Sequence, residues 1–227
     1  MSVITISRGS FSGGRDYAEK LSRELGCRVL SREYLAEEAT QMRVPVGKMQ
    51  TAMAHPHRVY HRKGKEREIY LAGMTPLFCK HILNGDIIYH GHTGHFLLTG
   101  IPHIPRIRVL ANPENRILYV MQTLKLSREK AKQYIEEVDS GRDKWVRFLC
   151  NVDWHDLSHY DLLVHPDQLC IANAASALYP LADLPDFKLT PASDGCGRHF
   201  DQHCQGLFKT LIERLQGDSL NRQSDLV

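Results

Sequence analysis

Val3-Ile4-Thr5-Ile6 is an apolar, β-branched run without alternation, which predicts a buried strand over 2–7 covered on both faces. Tyr17, Ala18, Leu21 and Leu25 then recur at helical spacing over 14–25, and Gly26 supplies the C-terminal stop. Cys27-Arg28-Val29-Leu30 reads as a short second strand. Ser31 reads as the cap of a second helix with Tyr34, Leu35 and Ala39 as its apolar stripe. The periodicity fades over 43–66, a basic stretch with Pro45, Gly47, Pro56 and Gly64 that holds at most a helix around 46–54. Helical spacing returns over 66–83 with Ile69, Leu71, Ala72, Leu77, Ile82 and Leu83.

Residues 86–91 form a strand entering a turn, and a short helix starts within 93–98. Residues 106–111 are a strand, followed by Asn112-Pro113-Glu114, a helix-start signal for a helix reaching about Leu124. Ser127 caps the next helix, which extends through Ile135 and Val138 toward Trp145. Residues 160–165 are the last strand, and a helix over 168–179 ends before Pro180. Strands and helices therefore alternate, which predicts a parallel α/β sheet. The expected organisation is a domain over 1–180 with a helical insertion around 40–85, a Pro/Asp/Ser/Gly-rich linker over 181–199, and a helix and tail over 200–227. Phe200, Cys204, Leu207, Phe208, Leu211, Ile212 and Leu215 give 200–216 an amphipathic stripe, suited to packing on the domain or to forming a homodimer.

Composition narrows the class. An apolar fraction of 42% and a charged fraction of 24% are those of a globular chain, and no run is long enough to span a membrane. The N-terminus opens on a strand with no basic, apolar leader, so the expected location is cytoplasmic. Six scattered cysteines then read as free thiols. A net charge of +3 suits an anionic ligand wherever the basic groups converge.

The strand–turn–helix at the N-terminus is the place where such a ligand would sit. Ser7-Arg8-Gly9-Ser10-Phe11-Ser12-Gly13-Gly14-Arg15-Asp16 follows the phosphate-loop spacing G-x4-G-K-[ST], with Arg15 for Lys and Asp16 for the hydroxyl. Small residues Ser10, Ser12, Gly13 and Gly14 let backbone N–H groups approach an anion at a helix N-terminus. Arg15 keeps the charge, but its planar fork poses oxygens differently from a Lys. The carboxylate of Asp16 has the chemistry to hold Mg²⁺ directly. The competing reading is a tight glycine turn with no ligand.

The order of further segments resembles the cytidylate kinase-like family, a group of P-loop nucleoside monophosphate kinases. The segments are Ile4-Thr5-Ile6-Ser7-Arg8 with Ser12-Gly13-Gly14-Arg15, Ser31-Arg32-Glu33, Ile87 to His92, Ala111 to Ile117, Asp139-x2-Arg142 with Arg147, and Asp153-Trp154 through Leu162. The resemblance covers roughly 2–179 and implies a three-layer P-loop nucleotide kinase-like fold. It implies ATP as donor, Mg²⁺ as cofactor and a nucleoside monophosphate of (deoxy)cytidylate type as acceptor. Residues 10–16, meaning Ser10, Phe11, Ser12, Gly13, Gly14, Arg15 and Asp16, would hold the donor phosphates, with Arg116 reaching the nucleotide. Arg15, Arg142 and Arg147 would neutralise the transferring group, and Arg32 and His92 would face the acceptor. Arg142 and Arg147 are five apart, so one unbroken helix does not aim both at one point. Ser31 stands where the family has Asp, and His92 where it has an Arg for the acceptor's phosphate. Those departures leave open a nucleotide- or anion-binding regulator with weak or absent turnover.

Three other clusters lead elsewhere. Cys196, His199, His203 and Cys204 are of zinc-ligand type, but adjacent His203 and Cys204 point apart on a helix, and Cys204 belongs to the apolar stripe. His90, His92 and His95 suit turn and cap chemistry better than a metal. The basic run from Arg58 to Arg67, with Tyr60 and Tyr70, has no base-reading module beside it, so nucleic acid is not expected.

Overall fold

A computed structural model describes residues 3–42, 44, 65–99, 101, 103–182, 184–188, 190 and four helical positions between 202 and 210. The helix expected around 46–54, the cysteine–histidine set at 196–204 and most of the 200–216 stripe lie outside the described residues.

Five strands form one parallel sheet in the order β2-β3-β1-β4-β5. They are β1 (Val3–Arg8), β2 (Arg28–Ser31), β3 (Ile87–His90), β4 (Arg106–Val109) and β5 (Leu162–Val164). The helices are α1 (Gly14–Leu25), α2 (Arg32–Gln41), α3 (Lys65–Leu83), α4 (Gly94–Leu97), α5 (Pro113–Leu124), α6 (Arg128–Cys150) and α7 (Ile171–Ala182). This is the expected three-layer α/β architecture.

The pleat of the strands sorts the core into two layers. Ile4, Ile6, Ile88, Ile107 and Val109 pack with Tyr17, Ala18 and Leu21 of α1 and with Ala174 and Leu178 of α7. Val3, Leu30, Ile87 and Tyr89 face the other way, onto Leu35 and Ala39 of α2, Phe78 and Ile82 of α3, and Trp145 and Leu149 of α6. The lack of inward–outward alternation in β1 follows, because both of its faces are covered. A smaller cluster joins Ile117 and Val120 of α5 to Ala131 and Ile135 of α6.

Local signals set most of the boundaries. Gly26 ends α1 at φ 67°, Asn112 caps α5 by accepting from the Glu114 N–H with Pro113 in the first turn, and Ser127 caps α6. Several expectations shift: the last helix, expected over 168–179, spans Ile171–Ala182, and the strands expected over 86–91, 106–111 and 160–165 are shorter. Tyr34 lies outside the buried stripe of α2, where Leu35, Ala36 and Ala39 are covered instead. Pro180 lies inside α7 near its C-terminal end rather than after it. Among the described residues Cys27, Cys79, Cys150 and Cys170 are in no disulfide, and no helix is long and apolar enough to cross a membrane.

Candidate active site

All strands are parallel, so their carboxyl ends share one edge, where parallel sheets bind ligands. The chain leaves β1, β2, β3 and β4 at that edge through residues 9–13, the Ser31-Arg32 junction with α2, Gly91-His92 and 110–112. Because β1 lies between β3 and β4, its loop is central.

That loop is a tight cradle. Phe11 has φ 55° and Gly13 φ 72°, so the chain turns through left-handed backbone twice in three residues. The Ser12 hydroxyl donates to the Gly9 carbonyl at 3.0 Å, and Phe11 packs among Tyr119, Tyr134 and the α5–α6 cluster. No side chain caps α1. Its first helical bond runs from the Tyr17 N–H to the Gly13 carbonyl, which leaves the preceding amides without a helical acceptor. The dipole adds positive character there.

Ser10 fixes the loop to the rest of the domain. Its hydroxyl and N–H both donate to Oδ1 of Asp139, at 2.5 and 3.3 Å. Arg116 donates from Nε to the Ser10 carbonyl at 2.7 Å and pairs with Asp139 at 2.5 Å. Arg116 and Asp139 thus buttress the cradle as a pair. Asp139 belongs to the Asp139-x2-Arg142 segment, and its contact with Ser10 spans more than a hundred residues and has no local sign.

The arginines expected at the site divide. The side chain of Arg15 is 70% exposed and lies along α1, bonded from Nε to Glu19 at 2.7 Å; that bond holds its guanidinium above the usual pKa. Arg147 points outward to Asp143 at 3.2 Å and Asp153 at 3.6 Å. Helix α6 runs unbroken through 142 and 147, so these two arginines leave it in different directions. Arg142 turns inward and donates to the Arg8 carbonyl at 3.3 Å. Burial, and then the Arg8 cation, push Arg142 down to about 10, with Asp139 acting in the opposite sense.

Arg32 lies beside this group. Burial acts to lower its pKa, but bonded Glu33, at 2.7 Å, outweighs that and holds it above its ordinary value. Ser31 caps α2, accepting from the Tyr34 N–H at 3.1 Å. His92 is only 4% exposed, and its Nε2 has no partner. Burial, reinforced by Arg142, Arg32 and Arg8, holds it well below its ordinary pKa, so His92 is neutral at pH 7. Asp16 is exposed on the first turn of α1. A single carboxylate there fits Mg²⁺, which is held through one or two carboxylates and completes its shell with water and phosphate oxygens.

Two further basic residues, Arg8 of the loop motif and Arg108, have no site role in the sequence pattern. Arg8 ends β1, and burial lowers its pKa, with Arg32 pushing the same way. Arg108 is buried on β4 between the rings of Trp154 and Tyr160, at 4.5 and 5.0 Å from their centroids. It donates to the Trp154 carbonyl and the Tyr160 hydroxyl. A cation closing a buried strand was the available signal for Arg8.

The arrangement can bind an oxyanion on backbone amides and surround it with several guanidinium groups. A protein of known structure from Eubacterium ventriosum, described as uncharacterized, is similar at 19% identity and TM-score 0.61, over 80% of this chain and 98% of that one. The shikimate kinase of Bacteroides thetaiotaomicron aligns at 12% identity and TM-score 0.47, over 81% and 99%. The first likeness shows the fold, and the second is too loose to bear on function. No curated protein matches the sequence. The model of the cytidylate kinase-like family matches residues 3–168, and the chain belongs to that family.

Proposed function

We propose that the protein is a nucleotide kinase-like phosphotransferase that moves a phosphoryl group from ATP to a (deoxy)cytidylate-type nucleoside monophosphate. One observation carries this reading: the uncapped start of α1 and the inward-turned guanidinium of Arg142 both lie at the Arg8 end of the central strand. Phosphoryl transfer asks a protein for positioning and charge neutralisation, and this edge is built to supply both. The amides of 11–16 would cradle the donor phosphates, and Arg116 would hold the cradle through Ser10. Arg142 would face the transferring group, with Arg32 and His92 on the acceptor side. Mg²⁺, held by Asp16 and phosphate oxygens, would supply charge neutralisation between the phosphates.

A second reading rests on Arg15, Arg147 and His92. Two of the expected cations are engaged in exposed ion pairs, and neutral His92 stands where the family has a cation. That favours a nucleotide-binding regulator with slow or no turnover.

Calorimetry with MgATP, CMP, dCMP, UMP and AMP, paired with an ADP-release assay, separates the two. The transferase reading expects release of ADP stimulated by a cytidine monophosphate. It expects Arg142→Ala to lower kcat/KM on the order of 100-fold or more, the scale of one lost transition-state contact. ATP binding with no stimulation by any monophosphate establishes the regulator reading, and absence of ATP binding removes both.

A further inference from the structure

We propose that Arg8, and not Arg15, is the cation that grips the donor phosphates; this rests on the phosphate-binding reading above. Arg8 is the last residue of the central strand, at the mouth of the cradle. Its stem lies directly on the first residue of α1: a Cβ added to Gly14 would fall 2.6 Å from both Cβ and Cδ of Arg8. Glycine at 14 is therefore what lets the Arg8 side chain cross the helix start. Phosphate loops place their cation at this helix start, but from the helix itself.

The polar inventory points the same way. Nε of Arg8 is buried and has no hydrogen-bond partner. Among the described residues, the nearby carboxylates are engaged elsewhere: Glu33 bonds Arg32, and Asp139 bonds Arg116 and Ser10. Arg142 adds a second cation, donating to the carbonyl of Arg8 itself. Nε2 of His92, on a ring that is only 4% exposed, is also unpartnered, and that ring feels Arg8, Arg32 and Arg142 together. A buried charged donor without an acceptor is costly to keep, and an oxyanion satisfies it. Two guanidinium groups without a bonded carboxylate match the charge of a phosphate dianion.

Arg15 lacks these features. It is solvent-exposed and bonded to Glu19, an ordinary pair along a helix surface. Its place in the motif is that of the usual cation, but its side chain has turned away.

The test uses the full chain, with sodium tripolyphosphate and MgATP as calorimetric probes, on the wild type, Arg8→Met, Arg8→Lys and Arg15→Met. Arg8→Met is expected to weaken binding of both probes about 10- to 100-fold, the scale of a lost charge-assisted contact. Arg15→Met is expected to stay within about threefold, the scale of an exposed charge. Without ligand, Arg8→Met is expected to melt no lower than the wild type, because it removes an uncompensated buried charge and keeps the stem. A merely structural Arg8 would instead lower the melting temperature and leave the affinity unchanged. If Arg15→Met loses as much affinity as Arg8→Met, or more, the assignment is overturned while phosphate binding stands. If the wild type binds neither probe, phosphate binding itself fails and the assignment falls with it. Should Arg8→Met not fold, Arg8→Lys carries the test. It keeps the charge and loses the planar fork, so binding about 3- to 10-fold weaker is expected, and unchanged binding overturns the proposal.

Discussion

Tyr89 shows how closely single residues are fitted near the site. Its buried ring lies against two glycines of the following turn. A Cβ on Gly94 would fall 2.0 Å from its Cε1, and one on Gly91 would fall 2.4 Å from its hydroxyl. Neither glycine can gain a methyl without moving the ring out of a packed core. Gly94→Ala is expected to cost about 1–3 kcal/mol, read as a lower urea midpoint at unchanged slope. At this scale the site was only partly legible. The glycine turn and the spacing of the cradle are local and could be read directly. Side-chain direction was not: Arg15 and Arg8 are both basic residues flanking one loop, and only packing on Gly14 and pairing with Glu19 distinguish them. The bond from Ser10 to Asp139 joins distant segments and left no local pattern.

The elements were the most legible level, because their ends are set by neighbours in sequence. Gly26, Asn112 and Ser127 each stop or start a helix by a mechanism visible in a few residues. Ser31 belongs with them. Its hydroxyl is occupied in capping α2. Ser31→Ala is therefore expected to lower stability by about 1 kcal/mol in urea titration and to leave nucleotide affinity within error of the wild type. Tyr34 misled the pattern because an aromatic at helical spacing counts as apolar wherever it points; its ring instead packs edge-on to His81 at the surface of α2. The length of α6 matters most for chemistry, since one unbroken helix turns Arg142 in and Arg147 out.

At the scale of the whole molecule, buried histidines couple stability to pH. His90 is pushed down to about 4 by burial, with Arg8 and Arg15 adding to the effect and Glu33 and Glu19 opposing it. His95 is pushed down to about 3 by burial, then by Arg106, His159 and Arg108. Well above pH 6.5 both rings are neutral whether the chain is folded or not. Below it, the unfolded chain takes up protons that the folded one refuses, so stability falls as pH drops toward 4. Each ring contributes at most about 1.4 kcal/mol per pH unit in that window. Urea midpoints are expected to decline from pH 7 to pH 5, and less steeply in His95→Phe. The strand order has a consequence of its own, for how the chain acquires its shape. Of these five strands the earliest in the chain is the middle one, and both of its partners come much later. During synthesis β1 has no neighbour until Ile87–His90 has emerged, and one of its edges stays open until Arg106–Val109 follows. A nascent chain stalled before that point exposes a strand ready to pair with another copy, so aggregation competes with folding early, and the glycine-rich loop after β1 is among the last features to be set.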